Sequence, residues 1–486
     1  FLVCLLLPVS IATGFVTIGF FEGLIIHGTY WILFVVSALF AGLLLRKAWL
    51  NRHRLRNTLI QHRNGMIVVL IAAAFLQVHE PHSFKVLPDE YNIGSSARSM
   101  HLYREHAVVD VGYSSESLFT RVASRMSDAY PLYPWLLSII HGLAGFRPEN
   151  AFILHGILGF AACILVYALV SGWMGTIYGK LSVLLLVGLP IFHESVTGGG
   201  GEILEVCLLL SLLWQSRVCL ERGKMCDRVL LIATGFLTAC SSVQGSIWSL
   251  FPFAVMGFMK DSGALRQRLL WLSPIMWVYP AAVWILIADP VSIPGVSSGM
   301  MRLSESMLFL FDTSRAFANS PFLSGVGVVG FVFWLVHLAR DRKRPQEPIA
   351  HEWLMFGFVA VIGLSALASM VLLSSGWTDP VAAKASIPLY AIVVVLSPYV
   401  MRFGFQLARF PKTLLVIPMI AAIAVNGTWN SWGAPSRIKD PESMGLRHLD
   451  KALTSKLIRK DALYIGDGAS GAILRGWSAM PIGYAN

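Results

Sequence analysis

Residues 64–90 read NGMIVVLIAAAFLQVHEPHSFKVLPDE. From 64 to 78 no side chain carries a charge, and apolar and polar residues do not alternate. Such a run crosses, or nearly crosses, a ~30 Å hydrocarbon layer as a helix. A membrane strand would alternate, so a barrel is excluded for this segment. The run then breaks abruptly into HEPHSFK and a Pro88-Asp89-Glu90 triplet. The chain here leaves an apolar medium and enters a polar one.

Outward from this segment the same pattern repeats. Apolar runs fall near 1–22, 30–47, 64–80, 151–172, 180–196, 203–220, 229–243, 246–259, 269–287, 322–340, 353–374, 385–402 and 411–426. The composition agrees: 56% of residues are hydrophobic and 13% charged, against about 25% charged in soluble domains. The expected fold is an all-α polytopic membrane bundle of about 11 to 13 spans. Phe1 opens inside an apolar run and the chain ends in mid-pattern, so further residues are expected at both ends. The six cysteines (Cys4, Cys163, Cys207, Cys219, Cys226, Cys240) lie in or beside apolar runs without CxxC spacing. Disulfides and a structural zinc site are not expected.

The net charge of +11 does not point to nucleic acid, because the cations sit in short loops without stacking aromatics. Arg46, Lys47, Arg52, Arg54, Arg56 and Arg63 form one run without an acidic partner. By the positive-inside rule this run is cytoplasmic. Alternation then puts 173–179, 221–228, 260–268, 341–352 and 403–410 on the same side, and four of these five are basic or have basic flanks.

Three polar pieces fall on the other side: 79–150, 288–321 and the tail from 427. In the first, Asp89 is expected at a helix cap with Glu90 in the first turn, and the helix to run toward His106, flat on the membrane with its polar face up. A second apolar piece, Pro131 to Leu143, is too short to span and fits an interfacial helix. Loops above ~15 residues inside a compact domain usually serve a function. In the tail, DALYIGDGASGAILRGW (461–477) reads as a strand, a turn and the start of a helix, the opening of a small α/β unit.

The ordered set, an outward span, then PDE, an interfacial YPLYPWLLSIIHGL (130–143) and a returning ENAFILHGILGFAACILVYALV (149–170), resembles the GT-C class of glycosyltransferases. The branch is that of the protein O-mannosyltransferases and lipid A aminoarabinose transferases. The resemblance covers roughly 64–426, leaving 1–63 as two added spans with a basic loop and 427–486 as an extracytoplasmic segment. It implies a membrane enzyme of the cell envelope, placed in a bacterial plasma membrane with its site on the periplasmic or extracellular face. The donor would be a sugar on a polyprenyl phosphate. The acceptor would be a glycan, lipid or protein, and the anomeric centre would invert.

By position Asp89 matches the family's catalytic acid and Glu90 its acidic neighbour. In HESVTGGGGEILEV (193–206), Glu202 matches the acid at the returning span, with Glu194 as competitor. The four glycines allow backbone to approach a ligand, or form a loose connector. For the donor phosphate, Lys384 in KASIPLY matches a family cation. Gln244 in SSVQGS stands where the family carries lysine, a departure that points to a different head group or to compensation by Arg98, Arg104 or Arg302.

His79, His82, His101 and His106, with Glu80 or Asp89, would admit a divalent metal ion, though their spacing matches no established signature. Competing functions are a lipid-linked-sugar transporter or flippase and an O-antigen ligase or polymerase. The first predicts internal repeats and mid-span charges, and neither is found. The second places its longest loop late in the chain, whereas here it comes early.

Overall fold

The computed structural model describes residues 22–84, 87–115, 118–222, 224–251, 255, 279–280, 283, 329–336, 355, 357–365, 387–398, 463–465 and 478–480. The expected spans at 1–22, 246–259, 269–287, 322–340, 353–374, 385–402 and 411–426 lie wholly or partly outside them.

A π-helical turn (Leu24–Gly28) leads into α1 (Thr29–Leu50), and the two together make a 27-residue apolar span. Val35 and Leu45 on it, and Ile71 and Val78 further on, are exposed. A water-facing surface would hide them; a lipid-facing one does not. The basic run expected as a loop is partly helical: α2 (Arg52–Gln61) buries no residue and meets α3 (Arg63–His79) at a 78° bend. Leu55 and Leu59, one helical turn apart, are exposed on α2. This geometry suits a helix lying on the headgroups with its arginines solvated.

The first polar piece holds more than helices. α4 (Leu87–Tyr103) leads to a hairpin, β1 (Ala107–Ser115) and β2 (Leu118–Met126), and then to α5 (Leu132–Ala144). The strands pair from Ala107↔Met126 to Ser115↔Leu118, with an irregularity between Val109 and Gly112. In the described sheet the strand order is β2-β1-β4-β3, where β3 is Leu463–Ile465 and β4 Ser478–Met480. The tail strands therefore extend the first polar piece, through Gly112↔Ala479. The flat, polar-face-up placement of α4 is corrected: Ser95, Ser96, Ala97, Ser99 and Met100 are all buried. Small side chains let the helix pack closely against α5 and β1, and Ser95 Oγ accepts the Val109 N–H at 3.2 Å.

The returning spans follow as α6 (Asn150–Met174), α7 (Thr176–Val187), a short α8 (Pro190–Val196), α9 (Glu202–Arg222), α10 (Met225–Ala239) and α11 (Val243–Trp248). The expected span 180–196 is broken, because Pro190 brings no N–H and forces the residue before it out of the helical region. Leu189 is accordingly extended. The His193 ring reaches back to the carbonyl of Val187, which the break exposes.

Side-chain links sort the bundle into two ends. At one, Lys47 Nζ lies 2.5 Å from Asp227 Oδ1, and His62 Nδ1 lies 2.9 Å from the Tyr167 hydroxyl. At the other, backbone N–H groups of Ser83, His106 and Leu132 donate to the carbonyls of Thr197, Ile26 and Cys240 at 3.1, 2.8 and 3.2 Å. The arginine-rich run and the first polar piece thus occupy opposite ends, as alternation of the spans requires.

Two outcomes follow from this packing. A Cβ on Gly245 would sit 2.0 Å from the Thr238 carbonyl oxygen, whereas one on Gly142 meets nothing within 4 Å. Gly245→Ala is expected to lower the melting temperature of the purified protein sharply, and Gly142→Ala to leave it unchanged or raise it slightly.

His106 is fully buried with Nδ1 3.0 Å from Ser96 Oγ and Nε2 3.0 Å from the Ala129 carbonyl. This neutral ring is satisfied, and burial pushes its pKa from 6.5 down to about 4. A depressed folded pKa means the unfolded chain binds the extra proton first, so stability falls as pH drops through this window, by up to ~3 kcal/mol. Thermal melts between pH 7 and 4 should show the slope, and His106→Gln should flatten part of it.

Candidate active site

α4 opens with Pro88 in its first turn, where a missing N–H costs nothing. Asp89 is the third helical residue and not the cap, since the helix begins at Leu87. The placement of the Asp89 side chain lies outside the described residues. Glu90 follows it and is 2% exposed. Its Oε1 accepts the backbone N–H of Gly199 at 2.8 Å, across 109 residues of sequence.

That contact explains the glycines. A Cβ on Gly199 would stand 2.7 Å from Phe84 ring atoms and 3.6 Å from Glu90 Cδ, and one on Gly200 would overlap the Glu202 carboxylate. The turn is gripped from the opposite side by His155, an ionisable residue inside a span. Its Nδ1 lies 2.7 Å from the Ser195 carbonyl and its Nε2 faces that of Gly200. The glycine run is therefore a tightly packed turn and not a loose connector.

Over this turn lies the start of α5. The Tyr133 ring meets the His155 ring edge-on at 5.4 Å, and a Cβ on Gly201 would touch Tyr133 at 3.7 Å. Glu202 and Glu205 occupy the first turn of α9, where the helix dipole favours carboxylates. Burial, then Glu202, then Glu90 push the Tyr133 phenol well above its usual range. Burial and then Glu205 push Tyr130 up likewise. Both hydroxyls are buried and have no hydrogen-bond partner among the described residues.

The structure thus brings Glu90 and Glu202 to one tyrosine. Glu194 is also buried, on α8 beside His193, whose ring stands 4.5 Å from that of His79. Gln244 is buried in α11, which Ser242 caps through the Gly245 N–H at 2.9 Å. Arg98 lies about 12 Å along α4 from Glu90, with its guanidinium 4.9 Å over the Phe146 ring. Burial lowers its pKa to about 10. Arg104 ends α4 at φ 61°, and its Nη1 lies 2.9 Å from the Tyr30 hydroxyl. It anchors the helix end to α1. Lys384 and Arg302 lie outside the described residues.

The histidine cluster does not form: among the described residues no group of three or more His, Cys, Asp or Glu could hold a metal ion. His79 packs on His193, His82 lies 3.1 Å from Gln77, His101 faces His141 and His106 is satisfied by Ser96 and Ala129. Sequence reasoning missed Tyr130, Tyr133, His155 and Glu205. Part of their signal is present: EILE repeats a carboxylate three apart, which places Glu202 and Glu205 on one face of α9, whereas Tyr130 lies before α5 and Tyr133 in its first turn.

No known family's model and no curated protein matches the sequence. Solved structures do match. ArnT from Cupriavidus metallidurans, solved with undecaprenyl phosphate bound, aligns over 86% of this chain and 85% of its own, with a TM-score of 0.50 and 12% identity. The oligosaccharyltransferase of Archaeoglobus fulgidus, solved with Zn and sulfate, aligns over 85% of this chain and 62% of its own, with a TM-score of 0.50 and 14% identity. Archaeal AglB from the same organism, in complex with an inhibitory peptide and a dolichol-phosphate, gives 0.50 at 13% identity over 87% and 64%. The chain therefore spans less than two thirds of the archaeal enzymes' length. These proteins are GT-C glycosyltransferases, and the chain shares their fold. With its apolar spans, it is an integral membrane protein.

Hydrogen exchange can test the Glu90–Gly199 contact. Glu90→Ala leaves a buried N–H without an acceptor, and should speed exchange at Gly199 by roughly 5- to 100-fold. Glu90→Gln keeps an acceptor and should change it little. Equal exchange in all three proteins would contradict the contact.

Proposed function

We propose that this protein is an inverting glycosyltransferase that moves a sugar from a polyprenyl phosphate to an acceptor hydroxyl at the end of the bundle opposite the arginine-rich run. The observation that carries the reading is the convergence of the first polar piece and the glycine turn on one carboxylate cluster. Support comes also from neighbours of the same fold, solved with undecaprenyl phosphate or a dolichol-phosphate. The positive-inside rule puts this end outside the cytoplasm, as in a bacterial plasma membrane. Spans flanking the cluster offer a lipid-facing surface for the polyprenyl tail.

In this mechanism Asp89 accepts the proton of the acceptor hydroxyl as its oxygen attacks the anomeric carbon. The bond from that carbon to the phosphate oxygen breaks, the electron pair leaves with the lipid phosphate, and the anomeric centre inverts. A general base must lie within hydrogen-bond reach of the proton it takes; Asp89 is assigned this role by resemblance, and as the neighbour of Glu90 in the chain it stands next to the cluster in sequence. Glu90, held by Gly199, fixes the start of that helix against the glycine turn. Glu202, the acid that matches the family's at the returning span, orients the sugar. Cations steady the leaving phosphate; Lys384 takes this role by resemblance, and Arg302 is the compensating candidate for Gln244, since Arg98 and Arg104 lie about 12 and about 21 Å along α4 from Glu90, on Phe146 and Tyr30. Gln244 supplies an amide where the family has lysine. The described residues do not fit a resident divalent ion, and no step runs through one. The acceptor is a glycan, a lipid or a protein.

Asp89→Asn is expected to lower kcat for transfer from a polyprenyl-phosphate sugar by ~10²- to 10⁴-fold, while the protein purifies and melts as wild type. Full turnover in that variant would remove Asp89 as the base.

A further inference from the structure

The site holds two features that proton transfer does not use. Tyr130 lies two residues before α5 and Tyr133 in its first turn, and Glu202 and Glu205 stand three apart in the first turn of α9. Tyr133 faces the start of α9, where a Cβ on Gly201, next to Glu202, would touch it at 3.7 Å, and the charge of Glu205 is felt at Tyr130. Tyr133 is buried, and Tyr130, Glu202 and Glu205 are half-buried. Both phenol hydroxyls are dry and lack a hydrogen-bond partner among the described residues. A buried hydroxyl without a partner is destabilising, and in a native fold it calls for a reason.

A sugar hydroxyl needs one acceptor and one donor. An ionised carboxylate only accepts, and a phenol O–H can donate. A phenol beside a carboxylate therefore offers the complement of one ring hydroxyl, and two such phenols set against carboxylates one helical turn apart on α9 suit two hydroxyls of one ring. We infer that Tyr133 with Glu202, and Tyr130 with Glu205, form a subsite that reads two hydroxyls on the donor's sugar. Three nearby carboxylates, Glu90, Glu202 and Glu205, repel a ring that carries an acidic group. The ligand class is thus a hydroxyl-rich sugar without a carboxylate. This assignment rests on the proposed lipid-phosphate sugar donor.

The test uses the full chain in detergent with three probes: a polyprenyl-phosphate hexose, its monodeoxy analogues, and polyprenyl phosphate without sugar. Wild type should bind the hexose lipid more tightly than the bare lipid. Tyr133→Phe and Tyr130→Phe should each weaken hexose binding by about 3- to 10-fold, and leave bare-lipid binding unchanged. Against the matching deoxy analogue each variant should equal wild type. Because each change removes a hydroxyl without a partner, melting temperatures should hold or rise, which separates the effect from misfolding. Wild-type hexose affinity in both variants would overturn the subsite while leaving the lipid-phosphate reading in place. Failure of wild type to bind any of the three lipids would overturn that reading, and the subsite with it.

Discussion

A carboxylate taken out of water is costly unless donors replace the water it loses. Glu90 is such a carboxylate, and its described donor is the N–H of Gly199. Each side of this bond constrains the other. Residue 199 fits there only without a Cβ, which would stand 2.7 Å from the Phe84 ring, and His155 holds the glycine turn at Ser195 and Gly200. Through it, the first polar piece is tied to the returning spans at a fixed point. The cluster of Glu202, Tyr133 and the start of α4 is assembled around that point.

The bundle positions this cluster by keeping its two ends distinct. Lys47 with Asp227, and His62 with Tyr167, hold the arginine-rich end together. The backbone bonds from Ser83, His106 and Leu132 tie the polar piece down at the other. Between the two, exposed apolar side chains on α1 and α3 give the lipid a surface. In the proposed reaction a lipid-linked donor would meet the carboxylates where such a surface ends, so that binding and chemistry share one edge. The tail strands β3 and β4 add to the hairpin of the same polar piece.

How far the sequence discloses this depends on the strength of each local signal. The spans are legible because an uncharged run such as 151–172 has no other stable home. The break at Pro190 was legible in principle, since proline ends a helix ladder, but the apolar run 180–196 masks it. The hairpin at 107–126 escapes notice because its short strands mix charge with apolar residues and lie on a polar surface, where alternation is weak. Burial of α4 also escapes, because serine and glycine read as solvent-facing until a partner surface is known. In the site, Asp89, Glu90 and Glu202 stand out as acids beside apolar runs. Tyr130, Tyr133 and His155 do not, since aromatic residues at helical spacing look like ordinary core. The contact between Glu90 and Gly199 joins positions 109 residues apart, and no local pattern reveals such a pairing.

The central claim is that a sugar on a lipid phosphate sits between the start of α4, the start of α5 and the first turn of α9. A polyprenyl-phosphate sugar with a photoreactive diazirine on the ring, flashed in membranes and mapped by mass spectrometry, tests it directly. Labelled peptides should cover 87–90, 130–133 or 199–205, and excess unmodified donor should suppress the label. Labelling confined to the arginine-rich end, around 52–63, or spread evenly along the lipid-facing spans, would contradict the account.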